Sequence, residues 1–208
     1  FDTPADQSAT VTVDSAGGVS IAAPVTIQAD GVVVGTAVDL TDTVTLPAAG
    51  DAFVINGGNA GSVTTVSVAA TVTTNDGAVT INDDVAISDG ATLSINSDSD
   101  DDGSGAAVAI NGDVRGDGGG NEHLTIDGGN GTVTVGSATT DVVDGNGGDG
   151  RFGDLTIDTV GPGTVTVNGP VTVTTGRRLR DEGWPPGAET VVVMLDGECS
   201  FRALDPAG

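Results

Sequence analysis

One short unit recurs along this chain: an apolar residue, a small one, and an apolar one, with Asn, Asp or Gly usually next. It appears as Val11-Thr12-Val13, Val79-Thr80-Ile81, Val85-Ala86-Ile87, Val108-Ala109-Ile110, Leu124-Thr125-Ile126 and Leu155-Thr156-Ile157. In an extended strand, successive side chains point to opposite faces. The two apolar residues therefore share one face and the small residue takes the other. The polar or glycine residue that follows turns the chain at once. Longer units recur as well. Val79 to Val85 returns 29 residues on, as Val108 to Val114. Leu124-Thr125-Ile126-Asp127 returns 31 residues on, and Gly131-Thr132-Val133-Thr134-Val135 returns 32 residues on.

Three successive triplets make a period of about 25 to 32 residues, the range in which repeats stack as solenoids. The pattern predicts an all-β chain: a right-handed parallel β-helix over residues 10–176, with three short strands per rung. At roughly 4.8 Å per rung, about six rungs make a rod on the order of 30 Å long. The rival architecture is an antiparallel β-sandwich, which has a similar alternation and density of turns. Residues 1–9, with Pro4, read as an extended lead-in. From Arg177 the character changes, with Arg177, Arg178 and Arg180 close together and the only Trp, Met and Cys following. We read 177–208 as a C-terminal cap or hairpin appendage, with Asp196-Gly197 as a hairpin turn, because an open solenoid end leaves strand edges and core uncovered. Phe1 in place of Met leads us to expect a processed protein or an excised piece.

Composition narrows the function classes. Aromatic residues make up 2% and Gly numbers 34, so small β-branched side chains have to supply the core. Acidic residues number 30 against six basic ones, all Arg, for a net charge of −24. Nucleic-acid binding needs a basic footprint that is absent here. No apolar run approaches the roughly 20 residues of a membrane span. A single cysteine, Cys199, excludes an internal disulfide. Before residue 177 the basic groups are Arg115, Arg151 and His123, a poor set for a polysaccharide lyase, which needs a base and cations to neutralise an acidic sugar. We therefore expect no enzyme.

The sharpest chemical motif is Asp98-Ser99-Asp100-Asp101-Asp102-Gly103. It matches D-x-D-x-D-G, the first half of a calcium loop, in which alternate carboxylates converge on one hard cation and Gly permits the sharp turn. Asp98, Asp100 and Asp102 are the candidate Ca²⁺ ligands. The match is partial, since Ala109 stands where an EF-hand places its bidentate Glu. Gly128-Gly129-Asn130-Gly131 lacks the Asp of calcium nonapeptide repeats and reads as a tight turn. Arg115-Gly116-Asp117 is an adhesion tripeptide that short matches produce by chance, and His123 beside Glu122 reads as a turn or surface residue.

The Leu-Thr-Ile-Asp and Gly-Thr-Val-Thr-Val units resemble the β-helical repeats of large secreted bacterial adhesins of the filamentous-haemagglutinin and autotransporter type. The resemblance covers residues 10–175. It implies an extracellular or cell-surface structural stalk or fibre without catalytic residues. Its partners would be further copies bound end to end, or a cell-surface glycan. Two other classes share the architecture. One is an ice-binding solenoid, suggested by Thr132-Val133-Thr134 and Thr164-Val165-Thr166; the other is a carbohydrate-active enzyme.

Overall fold

The computed structural model describes residues 10–56, 62–102, 104–116, 120–138, 143–145, 152–159 and 163–169, and eight residues beyond 188. Among the described residues there are only strands, bridges, bends and turns, as Val, Ile and Thr on a pleated backbone dictate. The first rung holds β1 (Thr10–Asp14), β2 (Gly18–Ile21) and β3 (Val25–Thr26). The second holds β4 (Asp30–Val34), β5 (Ala37–Leu40) and β6 (Val44–Ala49). The third holds β7 (Phe53–Ile55), β8 (Val63–Val66) and β9 (Ala70–Asn75). The fourth holds β10 (Val79–Ile81), β11 (Asp84–Ile87) and β12 (Thr92–Asn96). The fifth holds β13 (Val108–Ile110), β14 (Val114–Gly116) and β15 (His123–Asp127). The sixth holds β16 (Val133–Val135), β17 (Val143–Gly145) and β18 (Asp154–Asp158), and β19 (Val165–Val167) begins a seventh.

Every third strand is a neighbour. Sheet one runs β1-β4-β7-β10-β13-β16-β19, sheet two runs from β2 to β17, and sheet three from β3 to β18. All pairings within these sheets are parallel, for example Ile81 beside Ile110 and Leu93 beside Leu124. The described residues thus form a parallel β-helix of six rungs and the start of a seventh, and parallel pairing excludes the antiparallel sandwich. Side chains stack in files along the axis. Ile55, Ile81, Ile110 and Val135 form one buried file, and Val72, Ile95 and Ile126 another. Thr80, Ala109 and Thr134, the middle residues of their triplets, face outward. At the corner after sheet one, Asn111 Nδ2 donates to Asn82 Oδ1 at 2.8 Å, linking rungs five and four.

The triplet rule fails at informative places. In β4 it is Gly31 and Val33 that are buried, while Val32 and Val34 lie half outside. Gly31 stacks on the buried Phe53, and a β-carbon there would lie 2.8 Å from Phe53 Cδ2. Val66-Ser67-Val68 is not the strand it resembles. The strand is Val63–Val66, with Thr64 and Val66 inward, and Val68 is 50% exposed. The strands Ala37–Leu40 and Val114–Gly116 carry Asp39 and Arg115 where the rule expects a small residue. Both of these polar side chains point outward, so the inward file is undisturbed.

The register gives each rung its length. The steps are 20 residues from Thr10 to Asp30, 22 from Gly31 to Phe53, and 26 from Phe53 to Val79. They continue as 29 from Val79 to Val108, 25 from Val108 to Val133, and 32 from Val133 to Val165. The first two are shorter than the period read from the sequence, because their corners are short. In the terminal rung Val13 pairs with the inward Val33 yet is 46% exposed. The lead-in at 1–9 lies outside the described residues, as does most of 177–208. Of the latter, β20 (Glu189–Thr190) pairs antiparallel with β23 (Ala203–Leu204). Likewise β21 (Met194–Leu195) pairs antiparallel with β22 (Glu198–Cys199), and the Asp196-Gly197 turn read from the sequence lies outside the described residues. No helix among the described residues is long and apolar enough to cross a membrane.

Candidate metal centre

Among the described residues, the corner between sheets three and one gathers four neighbouring carboxylates. In rung three the chain turns through Asn75-Asp76-Gly77, where Thr74 Oγ1 donates to the Gly77 carbonyl at 2.5 Å. Asp76 adopts a left-handed φ of 54°, a conformation that Asp tolerates better than most residues. In rung four the chain makes a longer excursion after β12. Its ends are tied together, since Ser97 Oγ donates to the Ala106 carbonyl at 2.8 Å. Its interior turns tightly: Asp98 N donates to Asn96 Oδ1 at 2.7 Å, Asp101 N to the Asp98 carbonyl at 3.1 Å, and Ser104 N to Asp102 Oδ1 at 2.8 Å. A bond from Ser99 N to the Thr74 carbonyl, 3.2 Å, pins the excursion onto rung three.

This folding brings Asp98, Asp100 and Asp102 together, as the motif predicts, and adds Asp76 from the rung before. One carboxylate oxygen from each of the four lies within 4.8 Å of those of the others. Asp98 is buried, Asp76 half-buried, and Asp100 and Asp102 exposed. Asp76 Oδ1 is shielded from solvent with no hydrogen-bond donor. Loss of hydration, then repulsion from Asp100, Asp102 and Asp98, raises the Asp76 pKa above its ordinary 3.8. An all-oxygen set of this kind can hold a hard divalent cation, and it lacks the nitrogen and sulfur donors that zinc or copper prefer. Ala109, where an EF-hand has its Glu, is the outward middle residue of β13. The fourth carboxylate comes instead from the neighbouring rung, 22 residues before Asp98, at a spacing that no single-loop motif contains.

Asp51 occupies the equivalent corner of rung two. Its Oδ2 is also buried without a donor. Burial, then the charge of Asp30, raises its pKa above 3.8. The folded state therefore holds the Asp51 proton more tightly than the unfolded chain does. This group's contribution is fully present below pH 3.8 and is lost as pH rises through its folded pKa. Asp51→Asn is expected to raise the melting temperature at pH 7 and to leave it unchanged at pH values below that of the free carboxyl. Equal shifts at both pH values in thermal scans would show that the Asp51 charge is not the cause.

The remaining motifs are also placed. Gly131 N donates to the Gly128 carbonyl at 2.8 Å, the tight turn expected. Arg115 lies on β14 and is held by Asp113 at 2.7 Å and by Asp144 of the next rung at 3.3 Å. The adhesion tripeptide thus begins on a strand, and its Asp117 lies outside the described residues. His123 Nδ1 sits 3.2 Å from Asp154 Oδ2, one rung on. Thr132 and Thr164 hydroxyls meet at 3.3 Å, and Thr134 pairs with Thr166, so the Thr-x-Thr rows are adjacent over two rungs. In the preceding rung the row passes to Ala107 and Ala109. Comparisons with protein-family models, curated proteins and solved structures find no match to this chain.

Proposed function

We propose that this chain is a non-catalytic structural or adhesive β-solenoid of an extracellular stalk or fibre, stabilised by calcium at Asp76, Asp98, Asp100 and Asp102. The observation that carries the reading is that this cluster spans two rungs. A cation there would link rung three to rung four and relieve the repulsion of four carboxylates in a chain of net charge −24. Calcium suits the site better than magnesium, because it accepts flexible oxygen shells of six to eight ligands while magnesium keeps its waters. Exposure of two of the four carboxylates points to the weak affinities of extracellular modules, about 0.1–1 mM. The files of small hydroxyls outside and aliphatic residues inside devote the solenoid to a rod. Val13 and Val25, exposed in the terminal rung, suit end-to-end contact with a second copy.

Binding to the folded state alone stabilises by roughly 2.7 kcal/mol at a hundredfold excess over Kd, a rise of roughly 5–10 °C in Tm for a domain of this size. The expected result is a rise in calcium that exceeds the rise in magnesium at matched ionic strength. Asp76→Asn should reduce it, and Asp100→Asn with Asp102→Asn should abolish it. An equal rise in both metals that survives these substitutions would reduce the cluster to general screening. Light scattering on the same samples reads assembly, and a monomer at every concentration would remove the end-to-end contact.

A further inference from the structure

The corner between sheets one and two contains a buried polar cluster unrelated to the acidic corner. Asn56, Ser62, Thr64 and Asp83 are all buried. Thr64 occupies an inward file otherwise made of Val38, Val85, Val114 and Val143. Its hydroxyl stands where its neighbours have a methyl group, and it donates to Asp83 Oδ2 at 3.2 Å. The Asn56 carboxamide donates to that same oxygen through Nδ2 at 2.7 Å. Asn56 Oδ1 accepts from the Gly35 backbone N–H at 2.8 Å. Ser62 Oγ holds the other carboxylate oxygen, Asp83 Oδ1, at 2.9 Å. Rungs two, three and four each contribute to the cluster, so the scaffold fixes its geometry.

We propose that this cluster forms an intramolecular ester between Thr64 and Asn56. A hydroxyl and a carboxamide meet at one carboxylate oxygen, the Oδ2 of Asp83. A hydroxyl is a weak nucleophile until an adjacent base takes its proton. Asp83 Oδ2 touches both that proton's donor and the amide nitrogen that has to leave. The Gly35 N–H is placed to stabilise negative charge on Asn56 Oδ1. Burial keeps out water that would compete for the carbonyl.

The step balances without an added reagent. Thr64 Oγ1 attacks Asn56 Cγ while its proton passes to Asp83 Oδ2. The tetrahedral oxygen is held by Gly35 N–H. Asp83 then delivers the proton to Nδ2, the C–N bond breaks with its electron pair on nitrogen, and ammonia departs. The Oγ1–Cγ bond remains as an ester, and Asp83 returns to its starting state. Escape of ammonia into bulk solution draws the exchange forward.

Intact-mass measurement of the purified full chain tests this directly. The expected mass is about 17 Da below the sequence mass, the loss of one ammonia. Fragmentation should yield no ions from backbone cleavage between residues 56 and 64, because the ester closes that segment into a ring. Thr64→Val matches its file neighbours in shape and should fold with its full mass, as should Asp83→Asn if it folds. A parent at full mass overturns the proposal. So does a deficit that persists in Thr64→Val, which would instead mark cyclisation at an Asn-Gly pair such as Asn56-Gly57.

Discussion

Ile110→Asp is expected to destabilise the solenoid by several kcal/mol, whereas Thr80→Lys should leave its melting temperature nearly unchanged. Ile110 is fully buried between Ile81 and Val135 in the file of sheet one. A carboxylate there would have apolar neighbours above and below and no cation within the file. It would have to be buried charged or take up a proton, and both are costly. Against a typical total stability of about 5–15 kcal/mol, the loss threatens the fold itself. Thr80 belongs to the adjacent strand but faces outward. A lysine at that position extends into solvent from between Val54 and Ala109, its outward neighbours in the sheet. Chemical denaturation of the two variants reads the difference, and equal damage from both would reject the assignment of faces.

The second large effect concerns Gly31 and Phe53. Gly31→Val should cost about 1–3 kcal/mol, since overpacking a closed core forces side chains off their rotamers. The added β-carbon would meet Phe53 Cδ2 at 2.8 Å and Ile27 Cδ1 at 3.1 Å. Phe53→Val alone should cost a few kcal/mol as well, through the cavity it leaves. The two changes act on one space. In the double variant the valine at position 31 occupies room that the ring has vacated, so the total should fall below the sum of the singles. Strict additivity in a double-mutant cycle would mean that rungs two and three are not in this register.

The same pair shows where the sequence could be read and where it could not. An apolar–small–apolar triplet carries its own phase, and β10, β13, β15 and β16 all follow it. Val32-Val33-Val34 carries no phase, because each face is apolar. Only the ring of Phe53 in the next rung, seeking the space above Gly31, decides that Val33 turns inward. Thr64 reads as an outward residue by type and faces inward because Asp83, 19 residues later, supplies its partner. The acidic corner follows the same logic. Asp98, Asp100 and Asp102 are legible as alternate carboxylates in one turn. Asp76 is not, since its contribution depends on which corner lies beneath rung four. What stayed hidden in each case is vertical register, set by the sum of corner lengths rather than by any local pattern.

Those corner lengths have a consequence for the dimensions of the molecule. Rungs of 20 and 32 residues occupy the same kind of step in the sheets, and each step advances the axis by roughly 4.8 Å. Extent along the axis is therefore counted in turns of the coil, not in amino acids. Ten residues added at a corner would widen one level without lengthening the rod, and one duplicated turn would lengthen it by a fixed increment. A gene encoding such a chain can vary reach and decoration independently: reach by copying whole turns, decoration by lengthening the corners between strands.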